Sequence, residues 1–210
     1  MAGITIFSEL KAAVANELDR VDLTSEISDF IAHAEFYFMS GSRDGGEPLR
    51  VREMELEADL SPTANVYTIP ADYMGTIDVT AKTSPLRQLD VISKRASNNL
   101  YPTRSSGIPC HYYIVGSSLT VLPYTSADIE LTYYQNLPAL SDSNTSNWLL
   151  AKMPNLYLRG ALMQAAIFLR DDGLAAAMKG ITDNYISTLN NAYDAGRFAN
   201  GSMVPTEFWA

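Results

Sequence analysis

The side chains able to do chemistry in this chain are few and scattered. Asp29 and His33 stand one helical turn apart, with Tyr37 a turn further on. At that spacing a carboxylate can orient an imidazole as a general base. No nucleophile accompanies them, and the same spacing suits a solvated surface pair, which is the reading we take. Cys110 and His111 are adjacent and invite a metal, but the chain has two histidines and one cysteine. A zinc ion needs three or four ligands at recognisable spacing, so a hairpin edge explains this pair better. Asp171–Asp172 could be paired carboxylates. They fall just before a helix start, where acidic residues cap free N–H groups.

Other motifs fail on their own terms. "GSRDGGEP" (41–48) has the glycines but not the Gly-Lys-Ser/Thr ending of a phosphate-cradling loop. "NTS" (144–146) and "NGS" (200–202) match a glycosylation pattern by chance, since no secretory signal is expected. Neither a Gly-x-Ser-x-Gly elbow nor a His-Glu-x-x-His helix occurs. The expectation is a chain that is not an enzyme, with no catalytic residues, no cofactor and no metal.

Composition narrows the class. The 210 residues are 47% hydrophobic and 19% charged, enough for a sizeable core. A net charge of −9 argues against a protein that grips nucleic acid through phosphates. A single cysteine fits a reducing compartment. The start "MAGITIFSELKAAVANELDR" lacks the pattern of a signal peptide, and no apolar run approaches a bilayer span. A soluble protein made in a cytoplasm is expected.

The elements that must position these residues change along the chain. Thr5 is placed to cap a first helix with an apolar stripe of Phe7, Leu10, Val14 and Leu18. Thr24 or Ser25 should start a second, with Ile27, Phe30, Ile31, Ala34 and Phe38 inward. Between 65 and 81 the β-branched and aromatic residues suit short strands around a bend. "HYYIVGSSLTVLP" (111–123) reads as a hairpin, and 127–135 alternates with Ile129, Leu131 and Tyr133 on one face. Segment 82–110 reads mostly as loop, with one strand at 86–92. Pro154 suits the first turn of a helix to 170, apolar on Leu158, Leu162, Ala165 and Leu169 and on Tyr157, Ala161 and Phe168. "NWLLAK" (147–152) before it should be a separate short turn. A last helix over 173–196 should turn Leu174, Met178, Ile181, Tyr185 and Leu189 inward, and Asp183, Ser187, Asn190 and Asp194 outward.

This order predicts an α+β fold: a four-helix bundle with an inserted antiparallel β-sheet subdomain between helices two and three. Residues 5–40 supply the first two helices, 49–138 the β subdomain, 147–196 the last two helices, and 197–210 a C-terminal tail. The tail "RFANGSMVPTEFWA" carries Arg197, Phe198, Phe208 and Trp209, as a loose end or as a docking arm whose aromatics bury in a partner. The tyrosines of the β region, among them Tyr133 and Tyr134, suit either the sheet itself or an interface.

The motifs "ELDRVDLTSEISDFIAHAE" (17–35), "LRVREME" (49–55), "IPADY" (69–73), "YYIVGSSLTVLP" (112–123), "LTYYQNLPALS" (131–141), "NWLL" (147–150) and "PNLYLRGALMQAA" (154–166) occur in this order. The chain thereby resembles the adaptor, or head–tail connector, proteins of tailed bacteriophages, over about residues 6 to 190. Loop 40–48 is longer than that family's pattern. The resemblance implies a structural virion protein of the phage neck, assembled in the host cytoplasm as a homo-oligomeric ring of about twelve copies. The ring would join the portal protein to a downstream tail or nozzle protein and pass phage DNA through without specific binding it. The resemblance also implies a structural joint. Tyr133 and Tyr134 end the last strand, Pro138 and Leu140 turn the corner, Trp148 and Leu149 plug the bundle, and Pro154 launches a central helix lined by Tyr157, Gly160 and Leu162. Gly160 would mark the close approach of another backbone. Alternative readings are a tail-completion or stopper protein of the neck, a carboxylate-dependent hydrolase, or a small scaffolding domain.

Overall fold

A computed structural model describes residues 3–20, 22–41 and 45–198, with backbone only for 194–198. Phe208 and Trp209 therefore lie outside the described residues. In chain order the elements are helices α1 (Phe7–Leu18) and α2 (Ile27–Ser40) and strands β1 (Glu55–Leu60), β2 (Tyr67–Thr68), β3 (Tyr73–Ala81), β4 (Arg87–Gln88) and β5 (Asp90–Val91). Then follow α3 (Lys94–Leu100), β6 (His111–Val115), β7 (Ser118–Leu122), β8 (Ile129–Gln135), α4 (Trp148–Lys152), α5 (Pro154–Leu169) and α6 (Asp172–Phe198). The fold is α+β. Its contacts divide it into a helical unit made from two chain segments, up to Glu53 and from Leu137, and a β unit, Met54–Asn136.

In the helical unit α5 packs against α1, α2, α4 and α6. Pro154 opens it at the first position, where a missing N–H leaves nothing unpaired. Met153 before it is non-helical, which separates α4 as the proline rule requires. Buried Leu156, Tyr157, Leu158, Gly160, Ala161, Leu162, Met163, Ala165 and Ala166 show a helix covered on several sides. Its last turn departs from expectation. Phe168 is 56% exposed and Leu169 only half-buried, because the helix ends at an αL residue, Arg170, as it reaches the surface.

Helix starts differ from the sequence reading in two places. Thr5 does not cap α1, since Ile6 holds the N-cap position. The Thr5 amide and hydroxyl instead donate to Glu9 Oε2, each at 2.8 Å. The second helix begins neither at Thr24 nor at Ser25. A turn closed by Glu26 N–H donating to Leu23 O uses those residues, and Glu26 becomes the N-cap. The expected inward face of α2, Ile27 through Phe38, is buried.

The inward face of α6 is rotated about one residue from the apolar stripe. Thr182 and Ile186 are buried, whereas Leu174 and Ile181 are exposed. Polar side chains placed outward by pattern face the unit instead. Tyr37 Oη donates to Asp183 Oδ1 at 2.5 Å, and Lys179 Nζ meets Asp183 Oδ2 at 2.7 Å. Asn190 Oδ1 accepts from Arg50 N–H at 2.8 Å while its Nδ2 donates to Pro48 O at 3.0 Å, so one side chain fastens the chain leaving α2.

The β unit holds two four-stranded sheets rather than one, ordered β1-β8-β3-β4 and β2-β7-β6-β5. The first is antiparallel throughout, with register breaks in β3 beside Gly75 and before Asp78, the expected bend. In the second, β5 runs parallel to β6, which corrects the expectation of a purely antiparallel insertion. Segment 82–110 is also more structured than expected, with two short strands in place of one and helix α3, capped by Ser93 Oγ accepting from Ala96 N–H. The hairpin turns tightly at Gly116–Ser117, where Gly116 has φ +59°. Ile129, Leu131 and Tyr133 are buried on β8 and join Tyr67, Val79, Tyr112, Leu119 and Val121 in the core.

Candidate functional site

Among the described residues no group of three or more His, Cys, Asp or Glu is arranged to hold a metal ion. Asp29 and His33 are both exposed on α2, in keeping with the surface reading. His111 corrects the hairpin-edge reading. Its strand, β6, lies between β5 and β7, and its Nδ1 shares a 2.6 Å hydrogen bond with Tyr101 Oη. Asp171 caps α6, with Oδ1 accepting from Leu174 N–H at 3.0 Å.

A network of buried polar side chains lies where the chain re-enters the helical unit. Glu35, on the inner face of α2, is only 7% exposed. Its Oε1 accepts from Leu140 N–H at 2.9 Å and from Tyr157 Oη at 2.8 Å. Asn147 Nδ2 donates to Tyr157 Oη at 2.6 Å and to Pro138 O at 2.8 Å, while its Oδ1 accepts from Leu150 N–H at 2.9 Å. Two ends of the 137–147 loop, α2, α4 and α5 thus meet on three side chains. Burial pushes the Glu35 carboxyl up, against the opposing effect of its two donors. Burial, then the nearby Glu35 charge, pushes the Tyr157 phenol up as well, so it stays a donor. Buried polar groups are tolerated when each has its partners, and here they tie the 137–147 loop to α2 and α5.

Around this network the packing is tight. The Phe38 ring meets Tyr157 edge-on, with centroids 5.5 Å apart. A β-carbon built on Gly160 would lie 2.6 Å from Phe38 Cζ and 3.1 Å from Ala34 Cβ. Gly160 therefore admits a ring and a methyl group of α2, which corrects the expectation that a backbone approaches it. Leu149 and Leu150 are fully buried, whereas Trp148 is half-buried with its Nε1 enclosed and unpartnered among the described residues.

Tyr133 and Tyr134, expected at the joint, belong to the β unit. Tyr133 is buried, donates to Asp72 Oδ1 at 3.1 Å and packs on Tyr73 at 5.9 Å. Tyr134 is half-buried and pairs in register with Glu55 and Gly75. Arg197 and Phe198 fall in the last turn of α6, whose backbone continues two residues beyond the expected end at 196. Sequence reasoning missed Glu35 and Asn147. Glu35 interrupts an apolar face between Ile31 and Phe38, and that misplaced charge was the available signal.

The arrangement defines a class before any comparison. Its buried polar side chains join segments of the fold, and the residues first considered for chemistry lie on the surface, at a cap or within a sheet. The chain belongs to the SU10 adaptor protein family, whose profile matches residues 5–205, a family of phage head–tail adaptors. No curated protein matches the chain. Membership implies a structural, non-enzymatic role as a virion component that meets other phage head and tail proteins.

Proposed function

We propose that this chain is one subunit of an adaptor ring of about twelve copies that joins the phage portal to the tail and continues the DNA channel. The observation that carries the reading is the extent of the family match, which runs through both units of the fold. A closed ring needs two different surfaces on each subunit, and a helical unit with a β unit inserted in its chain offers them. In finer detail, α1, α2, α5 and α6 act as a four-helix bundle into which the sheets are inserted. The packing of α5 on the other three supports this.

In this reading the joint residues Tyr133, Tyr134, Trp148, Pro154, Tyr157 and Gly160 make the subunit stiff enough for a ring to close. The tail, with Arg197, Phe198, Phe208 and Trp209, clasps the portal or a neighbouring subunit. The net charge of −9 suits a lumen that repels phosphate, so DNA slides through without specific binding. Assembly takes place in the host cytoplasm, and the ring ends in the virion neck. Imaging the neck of assembled particles tests the proposal by showing whether this chain forms a ring between portal and tail.

A further inference from the structure

Two surfaces of opposite sign carry charged side chains that are in no ion pair among the described residues. On the β unit, Lys94, Arg95 and Arg104 cluster at α3 and the loop that follows it. None of the three is in an ion pair among the described residues, whereas Lys82 of the same unit meets both Asp59 and Glu130. Lys94 Nζ donates to Tyr113 Oη at 2.6 Å and lies over its ring, with the Arg104 guanidinium 5.8 Å from the same ring centre. Arg104 Nη2 donates to Ser97 Oγ at 3.2 Å and to Asn98 Oδ1 at 2.5 Å, which holds this guanidinium against α3 and adds to the positive charge of the face. Exposed Leu100, at the end of α3, gives this basic face an apolar component.

On the helical unit, α2 and the end of α5 border a groove of about 360 Å³. Phe30, Ile167 and Phe168 give it apolar lining, beside Glu26, Asp29, His33 and Gln164. Neither carboxylate is in an ion pair among the described residues. Phe168 packs on Phe30 at 5.4 Å yet stays 56% exposed, as does Ile167. Large apolar side chains beside unpaired charge mark a surface that a partner covers.

We infer that the basic α3 face of one copy docks on the α2–α5 groove of the next, setting exposed Lys94 and Arg95 against Glu26 and Asp29 and burying Leu100 with Phe168 and Ile167. This rests on the ring reading and names the two surfaces that close it. Such a contact is heterologous, the kind that propagates around a ring. Complementary charge fixes its register, and like charge placed there opposes it.

A charge-swap experiment tests the pairing in the full-length protein. Sedimentation at low salt measures self-association of the wild type, of Lys94→Glu/Arg95→Glu and of Glu26→Lys/Asp29→Lys, with circular dichroism verifying that each is folded. The wild type should associate and weaken as salt rises. Each reversed protein alone should associate at least about tenfold more weakly. An equimolar mixture of the two should recover association, because every contact then again sets plus against minus. A wild type that stays monomeric at high concentration and low salt overturns the pairing. So does indifference to both reversals, or a mixture that recovers nothing. Rings seen in assembled particles alongside any of those results leave the ring reading standing and reject only these surfaces.

Discussion

Tyr157 Oη donates a 2.8 Å hydrogen bond to Glu35 Oε1, joining α5 to α2 across 122 positions of sequence, with both side chains buried. The carboxylate also holds Leu140 N–H, so the bond that fixes two helices fixes the incoming loop as well. Removing one partner from a buried group leaves the other desolvated and unsatisfied. Glu35→Ala should therefore destabilise the chain by about 2–3 kcal/mol and Tyr157→Phe by about 1–2 kcal/mol, measured by urea unfolding at neutral pH.

The same carboxyl gives a pH signature. Burial raises its folded pKa above the ordinary value of 4.5, so in the window just above 4.5 the folded chain binds more protons than the unfolded one. This group's contribution is full below 4.5 and is lost as pH rises through the raised folded value. Glu35→Gln keeps an acceptor and removes the titration. Stability of the variant relative to wild type should rise through that window and then level off. Unfolding curves from pH 4 to 7 check it, and a relative stability that falls with pH contradicts it.

Gly160 is held to its identity by Phe38 and Ala34. Alanine ordinarily improves a helix interior by about 1 kcal/mol over glycine. Here the added carbon meets the Phe38 ring at 2.6 Å, and overpacking costs about 1–3 kcal/mol. Gly160→Ala should be net destabilising, and Phe38→Leu should be better tolerated in its presence than in wild type. A double-mutant cycle in thermal or urea unfolding reads this coupling.

Asn190 fastens residues 48–50 to α6 by two hydrogen bonds to backbone. Asn190→Ala should cost about 1–2 kcal/mol and speed amide exchange at Arg50, whose N–H it accepts. Leu189→Ala, on the neighbouring position, should leave that amide's exchange rate unchanged.

The tail supplies a prediction about assembly and not about folding. Deleting 197–210 should leave the unfolding free energy within about 0.5 kcal/mol of wild type. It should also block completion of infectious particles, scored by complementing a phage that lacks the protein. Particles that complete normally contradict the docking role of Phe208 and Trp209.

Local rules made α5 readable in advance: Pro154 set its start, Met153 its break from α4, and an almost unbroken apolar surface its central place. They failed on α6 because its inward side mixes polar side chains with buried Ile186. Thr182, Asp183 and Asn190 face the unit through hydrogen bonds that no hydropathy pattern registers. The parallel β5–β6 pair was equally hidden, since β5 has only two residues, too few to show alternation. Tyr157 and Gly160 stood out in the sequence, but Glu35 and Asn147 did not. Glu35 matters because a loop 105 positions away delivers the Leu140 N–H to it, and Asn147 because the fold of its own loop brings Pro138 O within reach.

The most direct measurement is a cryo-electron-microscopy reconstruction of the neck from particles that carry this chain. An adaptor function predicts a closed ring of its copies between portal and tail, around a continuous lumen. A reconstruction in which the chain is absent from that position, or sits there without forming a closed ring, contradicts it.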